Sequence, residues 1–284
     1  MKKIIFALLI LSAFGINAQE KSIVVSQIND SVYKLYINDY SYMYAFTGED
    51  GTLLIDTGYG PDEKMVKEEL GKLNGENVRY IINTHSNGDH VAGNNLFENA
   101  VIISHTNCRK DLLETPDFPA DGLPNLVIED ELTLYFNSEE IQIIPFLGGH
   151  TDNDVVVYFV NSQLVFLGDI IVADTFPVVW QDYFENTSVD KLVANLKNII
   201  SRFPDDVTFI SSHGRDYTKD DMKEYYSMVI ETITIVKKAI AEGKTLKQIQ
   251  QEDVLKDYSF YNSERFKFIN ADLWIETIFK SRND

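Results

Sequence analysis

The segment after residue 82 concentrates side chains that bind metal ions. Residues 83–90 read NTHSNGDH and come directly after the apolar run Val78–Ile82. Imidazole nitrogens and carboxylate oxygens are good ligands for zinc and similar divalent ions. A polar loop at a strand end, with a glycine that lets the backbone turn, can present His85, Asp89 and His90 to one point. By itself, such a histidine pair is weak evidence for a metal site.

Three later segments repeat the same arrangement of a potential ligand just beyond an apolar run. His150, Asp169 and His213 each follow a predicted strand, and each has a glycine beside it. Strand ends at a common sheet edge can surround one pocket. Of the five histidines in the chain, His105 alone lacks this glycine context, and we interpret it as structural. The single cysteine, Cys108, excludes a cysteine-based zinc cage and an internal disulfide.

Short strands and amphipathic helices must position these loops. Apolar alternation predicts strands at Ile23–Val25, Val32–Ile37, Met43–Thr47, Thr52–Ile55, Val78–Ile82, Leu132–Phe136, Ile141–Phe146, Val155–Val160, Leu164–Leu167 and Val207–Ile210. Helices are predicted from Pro61 to before Gly75, over Val189–Phe203, from Thr218 (with Asp221 as its capping partner) to Gly243, near Leu246–Leu255 and over Ala271–Lys280. This order predicts two mixed sheets with helices on their outer faces.

In this order, the candidate ligands resemble the signature of the metallo-β-lactamase superfamily. That signature is His-x-His-x-Asp-His, then Gly-His, Gly-Asp and a late His, and the family's early Asp-Thr-Gly is present as Asp56-Thr57-Gly58. The resemblance extends from about Ile23 to the last helix. It implies the α+β class and a four-layer αββα sandwich, as a single domain over residues 19–284. The metal site would lie at the shared edge of the two sheets.

The resemblance also divides the ligands between two Zn²⁺ sites. The first site would be formed by His85, Asn87 and His150, the second by Asp89, His90 and His213, with Asp169 bridging them. The chain departs from the family at Asn87, where the second histidine is expected. An amide oxygen is a neutral and weaker zinc ligand than imidazole. We therefore predict one or two Zn²⁺ ions, with the second site favoured. A degenerate site that binds a metal or ligand without catalysis is the alternative.

The chemistry expected from the resemblance is hydrolysis by a metal-bound hydroxide. A divalent cation lowers the pKa of a bound water to about 7 and polarises the bond under attack. Asp89 is the candidate catalytic residue, because it can orient this water or accept its proton. Asp56 either supports a ligand or is a plain turn carboxylate. The expected substrate is a small molecule with an ester, lactone, thioester or amide-type bond.

Two other activities stay open. β-Lactam hydrolysis is a minority interpretation, because the best-known lactamase subclass has a cysteine where this chain has Asp169, and Cys108 lies in the wrong segment. Oxidation of a sulfur substrate at a single iron is the other, since His85, His150 and Asp169 could hold that ion.

Further side chains are weaker candidates for the substrate groove. They are the aromatic residues Tyr40, Tyr42, Tyr44, Trp180, Tyr183 and Phe184, which can equally cover the core, and Arg215, which is either an anion contact or a surface arginine.

Composition and the first residues bear on location and partners. Residues 1–18 combine two lysines, an apolar run and a small residue before Gln19, which predicts a cleaved signal peptide and a periplasmic or secreted protein. The formal net charge of −19 argues against a nucleic-acid partner, and no membrane contact is expected after signal removal. The sequence makes no prediction of an oligomeric state.

Overall fold

The computed structural model describes residues 22–281, so the predicted signal peptide lies outside the described residues. The chain divides into two compact units. Unit 1 comprises the described part of Met1–Glu129 with Phe136–Ser138, and unit 2 comprises Asp130–Tyr135 with the described part of Glu139–Asp284. Within residues 22–281, no helix is both long enough and apolar enough to cross a membrane. The extent of a single domain over residues 19–284 stays a prediction.

Unit 1 is built on a seven-stranded sheet whose strands lie in sequence order. The strands are β1 (Ile23–Gln27), β2 (Val32–Ile37), β3 (Ser41–Gly48), β4 (Gly51–Ile55), β5 (Val78–Ile82), β6 (Val101–His105) and β7 (Leu126–Ile128). Strands β1 to β4 pair antiparallel, and β4 to β7 pair parallel. The change of direction follows from the connections, because tight turns join antiparallel strands whereas parallel neighbours need a crossover.

Three helices lie between the parallel strands of unit 1. They are α1 (Glu63–Lys72), the short α2 (Gly88–Val91) and α3 (Thr106–Glu114). Because the carboxyl ends of parallel strands meet at one edge of a sheet, the residues after β4 and β5 lie side by side. Asp56 follows β4 and the segment carrying His85 follows β5. The parallel half of the sheet therefore positions the first group of candidate ligands.

Unit 2 is built on a five-stranded sheet in the order β12-β11-β10-β9-β8. Its strands are β8 (Leu132–Phe136), β9 (Glu139–Pro145), β10 (Val155–Phe159), β11 (Leu164–Phe166) and β12 (Thr208–Ile210). Strand β10 is antiparallel to β9 and β11, and β12 is parallel to β11. Its helices are α4 (Val189–Arg202), α5 (Lys219–Ala241), α6 (Leu246–Gln251) and α7 (Ala271–Lys280). Their buried side chains form one apolar core with the sheet, including Leu196, Val229 and the fully buried Trp274.

The predicted strands and helices each correspond to an observed element and differ from it only at a few ends, whereas strands β6 and β7 and helices α2 and α3 are absent from the predicted set. Helix α1 begins after Pro61, because Asp62 is its N-cap and accepts a hydrogen bond from the Met65 backbone N–H. Helix α6 ends at Gln251, earlier than Leu255. Helix α3 was not predicted, because only Cys108 and Leu112 of its nine residues are buried. The capping box between Thr218 and Asp221 is confirmed.

Candidate metal centre

The first group of candidate ligands lies in unit 1, on the segment that follows β5. His85 and His90 are fully buried, and their ring centroids are 4.0 Å apart. Helix α2 carries Asp89 and His90, and the Asp89 Oδ2 atom lies 3.5 Å from His90 Nε2. The two imidazoles and the carboxylate predicted to act as ligands are therefore adjacent.

A buried carboxylate, Asp56, supports this group from the neighbouring strand. Its side chain is fully buried, and its φ of 56° lies in the left-handed region that Asp tolerates better than most residues. Asp56 Oδ1 accepts a hydrogen bond from the Thr84 backbone N–H at 2.8 Å. Its Oδ2 accepts from the Thr84 hydroxyl at 2.7 Å and lies 2.8 Å from His90 Nδ1. Asp56 therefore contacts a candidate ligand directly, which favours the supporting role over a plain turn carboxylate.

These hydrogen bonds determine which ring nitrogens can bind a metal. A carboxylate only accepts, so His90 Nδ1 must carry the hydrogen that it donates to Asp56. The Thr84 hydroxyl donates its one hydrogen to Asp56, so its oxygen accepts from His85 Nδ1 at 3.1 Å. Both rings are then protonated on Nδ1 and present the lone pair of Nε2. Such outer partners set the tautomer and orientation of metal-binding histidines.

The second group lies in unit 2, on the loops after β9, β11 and β12. Asp169 is 8% exposed, and its Oδ2 atom lies 3.5 Å from His213 Nε2 and 4.0 Å from His150 Nε2. The His150 Nδ1–H donates to the backbone carbonyl of Val178 at 2.8 Å. His150 therefore also presents Nε2, and it does so toward the Asp169 carboxylate.

The loop that carries His150 is held by Asp154, a residue that the sequence analysis did not single out. Its carboxylate accepts hydrogen bonds from the backbone N–H of His150 at 3.1 Å and from the N–H and hydroxyl of Thr151 at 2.8 and 2.7 Å. Burial raises the pKa of Asp154 to about 6, against the opposing effects of His150 and these hydrogen bonds. The signal available in the sequence was the Gly-His-Thr-Asp-Asn-Asp run itself, which places an acceptor three residues after Thr151.

The spacing of the donor atoms fits ligands of a metal ion better than hydrogen-bonded pairs. Two ligand atoms that each lie about 2.0–2.2 Å from a tetrahedral ion are about 3.4 Å apart. Within each unit, the distances between the carboxylate and imidazole atoms of the candidate ligands are 3.5 Å or 4.0 Å. Hydrogen bonds between such groups are shorter, at about 2.7–2.9 Å. Among the described residues, the groups that could hold a metal ion contain only the six predicted histidine and aspartate ligands, which are His85, Asp89, His90, His150, Asp169 and His213.

Asn87 and His105 occupy helix N-terminal positions. Asn87 is the half-buried N-cap residue of α2, has an extended backbone and makes no side-chain capping bond. Its role as a ligand stays a prediction. The His105 Nδ1 atom accepts a hydrogen bond from the Asn107 backbone N–H and caps α3. This capping bond agrees with the structural role predicted for His105.

The weaker substrate-groove candidates have three different surroundings: surface ion pairs, other rings of the sheet in unit 1, and a candidate metal ligand in unit 2. Arg215 is a surface residue that binds Asp174 and Asp221, which agrees with the simpler interpretation. Tyr42 stacks with other side chains of its own sheet, beneath Lys34. In unit 2, by contrast, the Trp180 ring lies 6.3 Å from that of His150.

Comparisons with known proteins agree with this fold. The family model of the metallo-beta-lactamase superfamily matches residues 37–213. The hydroxyacylglutathione hydrolase of Pelagibacter ubique is 25% identical over 188 residues, which cover 66% of this chain and 70% of that protein.

Solved structures of metallo-beta-lactamases are similar in fold at low sequence identity. The enzyme from Pontibacter korlensis matches with a TM-score of 0.61 and 17% identity, over 73% of this chain and 99% of that one. The DIM-1 metallo-beta-lactamase matches with a TM-score of 0.62 and 18% identity, over 75% of this chain and 99% of that one. These likenesses confirm the predicted fold class. The family model covers more than half of the length of this chain, so the chain belongs to the metallo-beta-lactamase superfamily of metal-dependent hydrolases.

Proposed function

We propose that this hydrolase cleaves carboxylic ester, lactone or thioester bonds of small molecules, with one or two divalent cations and Zn²⁺ as the first choice. The observation that carries the proposal is the spacing of carboxylate and imidazole atoms within each unit, which suits ligands around an ion. The proposed ligands are His85, Asp89, His90, His150, Asp169 and His213, and Asn87 would complete the weaker site.

The donor set suits a borderline divalent cation. Imidazole nitrogen and carboxylate oxygen bind Zn²⁺, Mn²⁺ or Fe²⁺, whereas a soft ion such as Cu⁺ prefers thiolate. The only cysteine, Cys108, is buried in helix α3. Three of the imidazoles, those of His85, His90 and His150, have hydrogen bonds on Nδ1 that leave Nε2 as the atom that would bind a metal. The residues present therefore fit the metal that the family requires.

The protein side chains contribute positioning and proton transfer. When bound, a divalent cation supplies Lewis-acid polarisation and a water of lowered pKa. The Asp89 carboxylate is partly exposed, with 17% of its side chain accessible. It can therefore accept a proton and pass it to solvent. Asp56, Thr84 and Asp154 hold the ligands rigidly, which reduces the reorganisation needed during the reaction.

Two arguments favour ester and thioester bonds over β-lactams as the bonds that are cleaved. By the resemblance to the family signature, Asp169 occupies a position where the best-known lactamase subclass has a cysteine. The curated relative from Pelagibacter ubique is named as a hydroxyacylglutathione hydrolase, which acts on a thioester. The similar solved structures are named as lactamases, so a β-lactam belongs in any test as the competing substrate.

The test is a matched substrate panel with metal analysis. Full-length protein is purified, loaded separately with Zn²⁺, Mn²⁺ and Fe²⁺, and assayed on a 4-nitrophenyl ester, a lactone, a hydroxyacylglutathione thioester, an anilide and nitrocefin. We expect ester or thioester turnover that requires metal and falls by at least about 100-fold in Asp169→Asn. This variant keeps the shape of the side chain and removes its charge.

Three outcomes would contradict the proposal. A folded, metal-loaded protein that leaves every substrate intact would support the degenerate-site alternative. Faster cleavage of nitrocefin than of any ester or thioester would assign the site to β-lactams. Oxygen uptake with a thiol substrate in the iron-loaded protein would assign it to oxidation.

A further inference from the structure

Two candidate metal ligands of unit 2 are flanked by aromatic side chains from separate segments. The Trp180 ring packs edge-on to His150, with centroids 6.3 Å apart and planes at 64°. The Phe266 ring packs edge-on to His213, at 5.1 Å and 80°. Trp180 comes from the loop after β11, and Phe266 comes from the segment before α7.

A third ring, that of Phe268, connects the other two. Phe268 is stacked with Trp180 at 6.2 Å and 29°. It also lies 6.3 Å from Phe266. We call these three residues, Trp180, Phe266 and Phe268, the aromatic wall. Ring contacts within the wall connect His150 to His213.

The backbone of residues 262–270 holds the two phenylalanines in place. The Ser263 N–H donates to the Ile269 carbonyl at 2.9 Å, and the Ile269 N–H donates to the Phe266 carbonyl at 2.7 Å. The Phe266 N–H donates to the Ser263 hydroxyl at 2.9 Å. Ile269 is 2% exposed and anchors the segment in the core of unit 2. Because the segment is hydrogen-bonded at both sides of the turn, the backbone positions that carry the two rings are a property of the fold.

The exposure of the wall argues for a ligand. Phe268 is 48% exposed and Trp180 and Phe266 are half-buried, although the same segment buries Ile269 completely. Contiguous exposed apolar surface beside polar catalytic groups is typical of substrate pockets. Aromatic faces bind other rings and alkyl groups by stacking and by burial of apolar area.

We propose that the aromatic wall binds the acyl group of the substrate, and that this group is an aryl or branched alkyl chain. The inference rests on the proposed function, because it places the acyl side of the scissile bond against His150 and His213. Phe266 and Phe268 lie beyond residue 213, where the match to the family model ends. Two of the three rings of the wall therefore come from this chain's C-terminal segment, and Trp180 comes from the region that matches the family model.

A kinetic test varies the acyl group and keeps the leaving group constant. The substrates are 4-nitrophenyl acetate, isovalerate, phenylacetate and succinate. We expect kcat/KM to be at least about 10-fold higher for phenylacetate than for acetate. Phe266→Ala and Phe268→Ala should each remove most of this preference, lowering the phenylacetate value by about 10-fold and the acetate value by less than about threefold.

The matched control is Phe260→Ala. Phe260 is 75% exposed and contacts Tyr261, outside the aromatic wall. It is the same residue type in the same part of the chain, so its variant should keep the wild-type preference. Thermal unfolding of each variant establishes that the fold is retained. A preference that is unchanged in both wall variants, or a preference for succinate set by charge (Arg265 lies over the Phe266 ring), would overturn the inference.

A binding test separates this inference from the proposed function. The chain has two tryptophans, and Trp274 is fully buried, so a ligand on the wall should change the fluorescence of Trp180. We expect phenylacetamide to give a saturable change in metal-free protein, acetamide to give none, and Trp180→Phe to remove the signal. Saturable binding without turnover of any ester, lactone or thioester would contradict the proposed function alone. Ester turnover without an acyl preference and without a fluorescence change would contradict only the proposal that the aromatic wall binds the acyl group.

Discussion

The substitution Asp56→Asn tests the inferred support of the metal ligands most directly. The two side chains have the same shape, and Asn also tolerates the left-handed φ of 56° at this position. The backbone is therefore not the cause of any effect. What changes is one oxygen, which becomes an amide nitrogen that donates hydrogen bonds.

Either orientation of the new amide places a donor against a donor. One carboxylate oxygen of Asp56 accepts from the Thr84 N–H at 2.8 Å, and the other accepts from the Thr84 hydroxyl and from His90 Nδ1 at 2.7 and 2.8 Å. If the amide nitrogen faces His90, that ring must move its hydrogen to Nε2, and Nε2 can no longer bind a metal. His85 is affected as well, because its Nδ1 hydrogen is accepted by the same Thr84 hydroxyl.

The expected loss of Zn²⁺ affinity depends on how many metal-binding imidazoles Asp56 supports. Losing one outer hydrogen bond to a metal ligand costs about 10- to 100-fold in metal affinity. Because Asp56 supports two imidazoles, we expect the upper end, a roughly 100-fold rise in the Zn²⁺ dissociation constant, or about 2.7 kcal/mol. The buried mismatch should also lower the unfolding free energy of the metal-free protein by about 1–3 kcal/mol.

Competition of Zn²⁺ between the protein and a chromophoric chelator measures the affinity, and thermal unfolding of the metal-free protein measures the stability. Asp117→Asn is the matched control, since Asp117 has a φ of 60° and an exposed side chain. It should bind Zn²⁺ like the wild type. A Zn²⁺ affinity in Asp56→Asn within about twofold of the wild type would refute the tautomer argument.

Four other outcomes are expected. Asn87→His should tighten the weaker site by about 10-fold or more and raise the Zn²⁺ stoichiometry toward two ions, as measured by metal analysis after dialysis; an unchanged stoichiometry would place Asn87 outside the site. His105→Asn keeps a side-chain acceptor at the N-cap of α3 and should leave the metal content unaltered, whereas a loss of metal would contradict its structural role. Thr218→Ala removes the capping box of α5 and should lower the unfolding free energy by about 1 kcal/mol in urea titration; a midpoint equal to that of the wild type would be inconsistent with the cap. N-terminal sequencing of protein exported from a bacterial host should begin at Gln19, and an intact N-terminus would contradict the proposed export.

Local signals in the sequence were sufficient for most elements and for naming the candidate ligands. The strands Val32–Ile37 and Val78–Ile82 and the helix Ala271–Lys280 were predicted with the ends that the structure has. Their apolar periodicity and flanking turn residues act over a few positions, so neighbours in sequence contain the information. The family signature likewise depends on residue identity and order, which are visible before any folding. Helix α3 was missed because it buries little apolar surface and its packing depends on distant residues.

The tertiary structure alone decided how the ligands are supported and what surrounds them. Asp56 and His90 are 34 residues apart in sequence, and the hydrogen bond between them exists only because β4 and β5 pair in parallel. The aromatic wall similarly joins Phe266 to His213 through a turn anchored by Ile269. Ligand chemistry is a property of single side chains and can be read along the chain. Tautomers, buried pKa values and pocket walls arise from contacts between residues distant in sequence, and these contacts form only when the whole unit folds.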